Sequence, residues 1–408
     1  MTFVTHDELR DRLREAAFDR PPALVANAHI TGLGVARALD AHDVPVVAVD
    51  RSGDGVAPHS SAVDFAGAVT DPLDDVDGFR EDVAALADAA GTEFVAFGCM
   101  DEWVHAFATE PDGVRLPFAD ADVVESVLDK SSLYRMAEKL GVPYPETRWL
   151  SETSVEEAAA ELGLPLVVKP ARKREFEEAI GTNVVEVRTT EEFRKIVTTA
   201  EEADIEVLAQ EKVPVARGED ASLASYVPPS GVDDALAVVG NTAVRSPPGF
   251  GTGCVVERVE CPEIEARALS VLDETGYHGI SESEFVYDSD REAYVLLDIN
   301  TRPWKWISHP VAAGANLPMA AYAAATDCEY ESDGVHDATW VSLPDYLSVL
   351  ADGGASDVLS PGQWRSFLSG RFESRPDLTT AVYRPSDPDP AMQVLRTEFG
   401  EQSYYCSC

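Results

Sequence analysis

The chain has 408 residues, enough for two or three packed units, and its 45% hydrophobic and 26% charged content is that of an ordinary globular protein. Its charge is not ordinary: 73 acidic residues face 32 basic ones, for a net charge of −41. A surface of that sign repels nucleic acid and anionic membranes, which excludes both as expected partners. The acids run along the whole length rather than in a tail, so they read as folded surface. Such a surface suits high salt, where screening removes its self-repulsion. The unfolding midpoint should therefore rise between low and molar KCl, and equal midpoints would contradict this. No apolar run of about 18 residues occurs, and residues 1–20 lack an apolar leader core. The six cysteines include no CxxC pair, so a reduced, cytoplasmic protein is the expectation. Cys406 and Cys408 lack further ligands nearby and read as a free end rather than a metal site.

Helical periodicity over 7–18 predicts a leading helix. Residues 22–28 (PALVANA) predict a strand, 31–41 a helix that opens on Gly32 and Gly34, and 44–50 (VPVVAVD) a second strand. Helix 77–90 and strand 93–98 repeat the unit, which predicts a doubly wound parallel sheet. The two glycines fall short of GxGxxG, so a dinucleotide site is a weaker reading than another ligand or packing alone. From 122 the pattern changes. A helix holding Asp129 and Lys130 leads to a second, 132–140, which stops at Gly141 with Pro143 beyond. Helix 154–162, strand 165–170 with Lys169 at its end, strand 183–188, helix 191–200 and strand 206–211 follow. A loop rich in Pro, Gly and charge then leads to strands 222–227 and 235–245, a Gly/Pro loop 246–253 and helix 263–275. After Pro310 a small-residue helix runs to about 325, and residues 330–408 are polar, with short helices at 343–350 and 361–369.

Between them lies the segment GISESEFVYDSDREAYVLLDINTRPW (279–304), two strands joined by a polar turn at 288–292. Asp298 and Asn300 are two positions apart, so a strand puts both on one face. A carboxylate and a carboxamide on a buried strand cost free energy unless something cationic satisfies them. Glu284 on the adjoining strand supplies a third oxygen, Glu282 is either an extra ligand or an ordinary neighbour, and Arg302 follows closely. Hard oxygen donors beside an arginine suit Mg2+ carrying nucleotide phosphates. The plain alternative is a hairpin whose polar residues cap strand ends. Lysine is scarce: Lys130, Lys139, Lys169, Lys173, Lys195, Lys212 and Lys305 are all there are, against 25 arginines, so those that remain deserve a chemical explanation.

These motifs, in this order, resemble the ATP-grasp superfamily and within it the carboxylate–amine ligases, over roughly residues 22–330. The resemblance implies an α/β and α+β architecture, a Rossmann-like pre-ATP-grasp domain (1–120) followed by a two-lobed ATP-grasp domain. The small lobe with its linker helices would occupy 121–208, the large lobe with the metal site 209–330, and a C-terminal extension 331–408. ATP phosphates would lie at Lys130 and Lys169. The adenine would meet the segment QEKVP (210–214), through the main chain of Lys212 and Val213 and the Glu211 side chain, and the ribose Glu219, with Asp220 as its alternative. Glu284, Asp298 and Asn300 would hold Mg2+ or Mn2+. Arg245, opening RSPPGFGTG, would serve the acyl phosphate or an acceptor carboxylate, and Arg302 the phosphate side, so that Lys169, Arg245 and Arg302 form the catalytic set. Asp101 and Glu102 would line the acceptor wall, while His29, His278 and His309 read as structural and Trp304 and Trp306 as packing.

Two departures from the family stand out. It usually carries Glu where Asp298 stands, one methylene longer. Its small-residue lid reads ARKREFEEAIGTN here, with Arg172, Lys173 and Arg174 either attracting nucleotide or pairing with Glu175, Glu177 and Glu178. The implied activity is ADP-forming ligation of a small-molecule carboxylate to an amine through an acyl phosphate, with a homodimer left open. A bicarbonate-using enzyme and a non-catalytic ATP-binding sensor are the alternatives.

Overall fold

A computed structural model describes residues 2–170, 176, 180, 182, 184–247, 251–375 and 377–399. The basic run Arg172–Lys173–Arg174, residues 248–250 of the glycine loop, and Cys406 and Cys408 lie outside them.

The first unit is a five-stranded, all-parallel sheet in the order β3-β2-β1-β4-β5. Its strands are β1 (Ala23–Ala26), β2 (Val46–Asp50), β3 (Phe65–Ala68), β4 (Phe94–Gly98) and β5 (Val114–Arg115). The central three are buried along their whole length, as parallel strands covered on both faces must be. Helices α1 (His6–Glu15), α2 (Ile30–Asp40), α3 (Val76–Ala90) and α4 (Asp101–Ala108) pack around it. Strand order reverses between β1 and β4, so their carboxyl ends form the switch-point crevice where such sheets bind ligands. Gly32 and Gly34 do packing work. A Cβ on Gly32 would lie 2.6 Å from the Asn27 carbonyl oxygen, and one on Gly34 would lie 2.6 Å from Ile307 Cγ2. The packing reading of these glycines has a direct physical basis: α2 presses against the segment that follows the metal-type hairpin.

Two linker helices come next, α5 (Ala121–Leu128) and α6 (Lys130–Leu140). Asp129 and Lys130 do not sit inside one helix as the sequence predicts. Asp129 ends α5 and caps α6, its carboxylate accepting from the Ser132 N–H, so Lys130 becomes the first residue of α6. Gly141 closes that helix in the left-handed conformation (φ 68°). A small antiparallel sheet, β6-β9-β7-β8, follows, built from β6 (Thr147–Trp149), β7 (Leu166–Pro170), β8 (Val185–Val187) and β9 (Val207–Glu211). It is backed by α7 (Val155–Leu162) and the helix Thr190–Glu202 around a core of its own.

A larger sheet runs β14-β13-β10-β11-β12-β15-β16. Its strands are β10 (Val215–Val227), β11 (Leu236–Ser246), β12 (Thr252–Val259), β13 (Gly279–Asp288), β14 (Ala293–Asn300), β15 (Thr339–Val341) and β16 (Leu378–Thr380). Pairing is antiparallel except for β15 with β16. Strand β12, whose first two residues fall in the expected loop 246–253, completes a hairpin with β11. The small-residue helix expected up to 325 is two helices, Ser308–Ala312 and Leu317–Thr326, because Gly314 takes φ 92° between them.

The C-terminal residues are woven into the body. β15 and β16 extend the large sheet, and Arg37 of α2 makes a buried ion pair with Asp387 at 2.7 Å, which also accepts from the Ser60 hydroxyl. No helix among the described residues is long and apolar enough to cross a membrane.

His309 is fully buried, and its Nε2–H donates to the Ala338 carbonyl at 3.2 Å. Burial pushes its pKa down from 6.5 to about 4, so it stays neutral. The unfolded chain binds a proton through that window and the folded chain does not, so stability falls as pH drops from 6.5 towards 4 and is flat above. In urea titrations, His309→Gln should lose about 2 kcal/mol less than wild type between about pH 7.5 and pH 5. Equal losses would contradict this.

Candidate active site

The hairpin of β13 and β14 is the centre of the site. Its register sets Glu282 opposite Asn300 and Glu284 opposite Asp298, so one sheet face carries all four oxygen-bearing side chains. Glu282, Asp298 and Asn300 are buried and Glu284 is partly so. The Asn300 amide Nδ2 donates to Glu284 at 2.8 Å and to Glu282 at 3.2 Å, tying together two carboxylates that would otherwise repel. On the far side, Lys130 reaches across from α6 to Asp298 at 2.7 Å, with both side chains largely out of solvent. Thus a residue expected at the phosphates and one expected at the metal are direct partners, 168 positions apart.

A bulge fixes this end of the hairpin. Glu284 pairs with Asp298 but Phe285 pairs with Leu296, which leaves Leu297 out of the ladder. The Leu297 carbonyl instead accepts from the Tyr134 hydroxyl at 2.9 Å, and Tyr134 accepts from the Gln210 amide at 2.8 Å. Burial and the Asp298 charge push the Tyr134 phenol up, so it remains an O–H. Gln210 stands in β9 opposite Val167 of β7, the strand that carries Lys169. The small sheet, α6 and the acidic hairpin are therefore joined by one buried chain of hydrogen bonds. Tyr134 was missed by motif reading, although it lies one helical turn beyond Lys130 and shares its face.

Lys169 is partly buried in β7, opposite Leu208 of β9. Glu211 ends β9, where its carboxylate accepts from Arg291 at 2.5 Å and from the Glu146 N–H at 2.7 Å. Lys212 pairs with Glu186 at 2.8 Å, and Val213 lies in the short connection to β10. Glu219 is exposed on β10, whereas Asp220 binds Arg245 at 2.5 Å. Arg245 also donates to the Gly251 carbonyl at 2.7 Å, which anchors the glycine loop. Burial opposes its charge, yet Asp220 and, further off, Glu284 and Glu282 hold the guanidinium above its ordinary range. Arg302 turns to the N-terminal domain and meets Asp101, the first residue of α4, at 2.6 Å. Burial opposes this charge too, and Asp101, Glu282 and Glu102 outweigh it.

So Lys130 meets Asp298 and Asn300 meets Glu284 on one hairpin face, and Arg245 and Arg302 both lie within the field of Glu282. Glu211, Lys212 and Glu219 occupy the stretch from the end of β9 into β10. His29 is held neutral, its pKa lowered to about 4 by burial and by Lys305. Trp304 and Trp306 are buried and pack edge to face at 4.9 Å.

Among the described residues, no three His, Cys, Asp or Glu side chains close on one metal-sized point. The donor set nonetheless fits Mg2+, which needs only one or two carboxylates when phosphate and water supply the rest. Glu284, Asp298 and Asn300 would hold it, with Glu282 beside them.

Comparison with known proteins bears on the sequence and the fold. No family model matches the sequence. A D-alanine–D-alanine ligase B of Pseudomonas putida is 27% identical over 227 residues, which are 52% of this chain and 65% of that enzyme. A D-alanine–D-alanine ligase of Ectopseudomonas mendocina is 29% identical over 230 residues, again 52% of this chain and 66% of its own length. The chain thus spans slightly less than two-thirds of these relatives. In structure, the ADP complex of an N5-carboxyaminoimidazole ribonucleotide synthetase superposes with a TM-score of 0.63 at 15% identity, covering 82% of this chain and 85% of that one. This chain has the ATP-grasp fold. The parallel N-terminal sheet, the small antiparallel sheet and the large sheet with its acidic hairpin are the ATP-grasp arrangement.

Proposed function

We propose that this ATP-grasp chain is an ATP-dependent carboxylate–amine ligase. The observation that carries the reading is the hairpin quartet of Glu282, Glu284, Asp298 and Asn300, whose Asp298 meets Lys130 at 2.7 Å. The similarity to D-alanine–D-alanine ligases supports it. In the first step a substrate carboxylate oxygen bonds to the γ-phosphorus of ATP, the bond to the β-phosphate oxygen breaks, and ADP leaves. In the second, an amine nitrogen bonds to the acyl carbon, the C–O bond to phosphate breaks, and the proton shed by nitrogen leaves with the phosphate.

The chain's own residues position the reactants and neutralise charge. Lys130 and Lys169 hold phosphate oxygens as compact ammonium charges, and Lys212, Val213 and Glu211 border the base. Arg245 and Arg302 face the transferred group from the glycine loop and from the N-terminal domain. A divalent cation held by Glu284, Asp298 and Asn300 would supply neutralisation of the phosphate charge.

ADP release dependent on Mg2+ or Mn2+, followed with pooled carboxylates and amines and with bicarbonate as a separate arm, tests the reading. Mass spectrometry of the condensation product would identify the pair. ATP binding without turnover across the whole panel would make the chain a sensor instead.

A further inference from the structure

Lys305 is one of the seven lysines, and neither the nucleotide nor the metal accounts for it. It follows directly on the segment that carries Asn300 and Arg302, and its side chain is mostly buried. Its ammonium donates to Asp345 at 2.9 Å and to the Thr252 hydroxyl at 3.2 Å. A lysine ammonium has three donors, and among the described residues these two partners take two of them, leaving one for a ligand.

The surroundings connect that ammonium to the glycine loop and to the acidic hairpin. Thr252 is the next residue after Gly251, whose carbonyl Arg245 holds, so two cations grip successive residues of the glycine loop. The charge of Lys305 is also felt by His29, which lies just past β1 at the switch-point crevice of the N-terminal sheet. Trp306, next in the chain, lies over Gly240, where a Cβ would come within 3.1 Å of its ring. Gly240 is opposite Ser222, and Ser222 is opposite Glu284. A floor of opposed residues therefore runs from the acidic hairpin to Trp306, the residue next to Lys305. Asp345, which orients the ammonium and itself accepts from the Ser342 hydroxyl, comes from the C-terminal segment, so that segment contributes to the site.

We propose that Lys305, positioned by Asp345, binds an anionic group of the second substrate, a carboxylate or a phosphate, on this floor. The proposal rests on the ligase reading and specifies the substrate's recognition handle. The test uses the full chain loaded with Mg·ADP and titrated by calorimetry with acetate and, separately, with inorganic phosphate. The wild type should bind at least one probe, Lys305→Met should weaken that binding about tenfold or more, and Lys305→Arg should largely restore it. A preference for acetate marks a carboxylate-bearing substrate, and a preference for phosphate a phosphorylated one.

A purely structural bridge predicts something different. Lys305→Met and Asp345→Asn would then lower the thermal midpoint alike and leave anion affinity unchanged, which overturns the proposal. Absence of any anion binding to the nucleotide-loaded protein overturns it as well, without touching the ligase reading. Absence of Mg·ADP binding sinks the ligase reading and this proposal with it.

Discussion

Lys130→Met should lower the unfolding free energy by about 3–5 kcal/mol, because it removes the ammonium paired at 2.7 Å with the buried Asp298 carboxylate. The pair itself need not stabilise the fold: desolvating both charges offsets most of what their attraction gains. The double variant Lys130→Met/Asp298→Leu should therefore recover most of the loss in urea unfolding. Neither variant should release ADP, since each lacks a phosphate cation and the double variant also lacks a metal oxygen. A single-variant loss below about 1 kcal/mol would mean that solvent already screens the pair. The comparison separates the two roles of one contact. Stability follows charge balance, whereas activity follows the identity of the residues.

The second large effect concerns Asn300. Its amide spans Glu282 and Glu284, and its carbonyl oxygen would be a hard donor for the proposed divalent cation. Asn300→Ala should cut ADP release by about 100-fold or more, a loss of the size seen when one transition-state contact is removed. It should also raise the Mg2+ concentration needed for half-maximal rate. Asn300→Asp keeps an oxygen but gives up the bridging N–H donor and adds a third negative charge beside two carboxylates. Its activity should stay low, with the metal requirement shifted in the opposite direction. Full activity in Asn300→Ala would remove this residue from the metal site.

Much of this architecture is legible in the sequence, for identifiable reasons. The N-terminal strands are continuous apolar runs bounded by helix signals, and the hairpin carries its own register because its polar turn fixes which residues oppose one another. Features that depend on distant partners are not legible. Nothing local announces that Lys130 will meet Asp298, that Arg302 will turn to Asp101, or that a bulge at Leu297 will hand its carbonyl to Tyr134. Strand β12 was hidden because it follows a glycine–proline loop, and its strand character comes from pairing with β11 and β15. Three-residue strands such as β15 and β16 carry too little periodicity to show, so the addition of Thr339–Val341 and Leu378–Thr380 to the large sheet emerges only in three dimensions.

Equilibrium titration of ATP, with and without Mg2+, into the wild type, Lys169→Ala and Glu284→Gln tests most directly whether one site draws on all these elements. The account predicts Mg2+-dependent binding by the wild type, weakened about tenfold or more by each substitution, in samples whose circular dichroism is unchanged. Binding that ignores both substitutions, or no binding by the wild type, would contradict it.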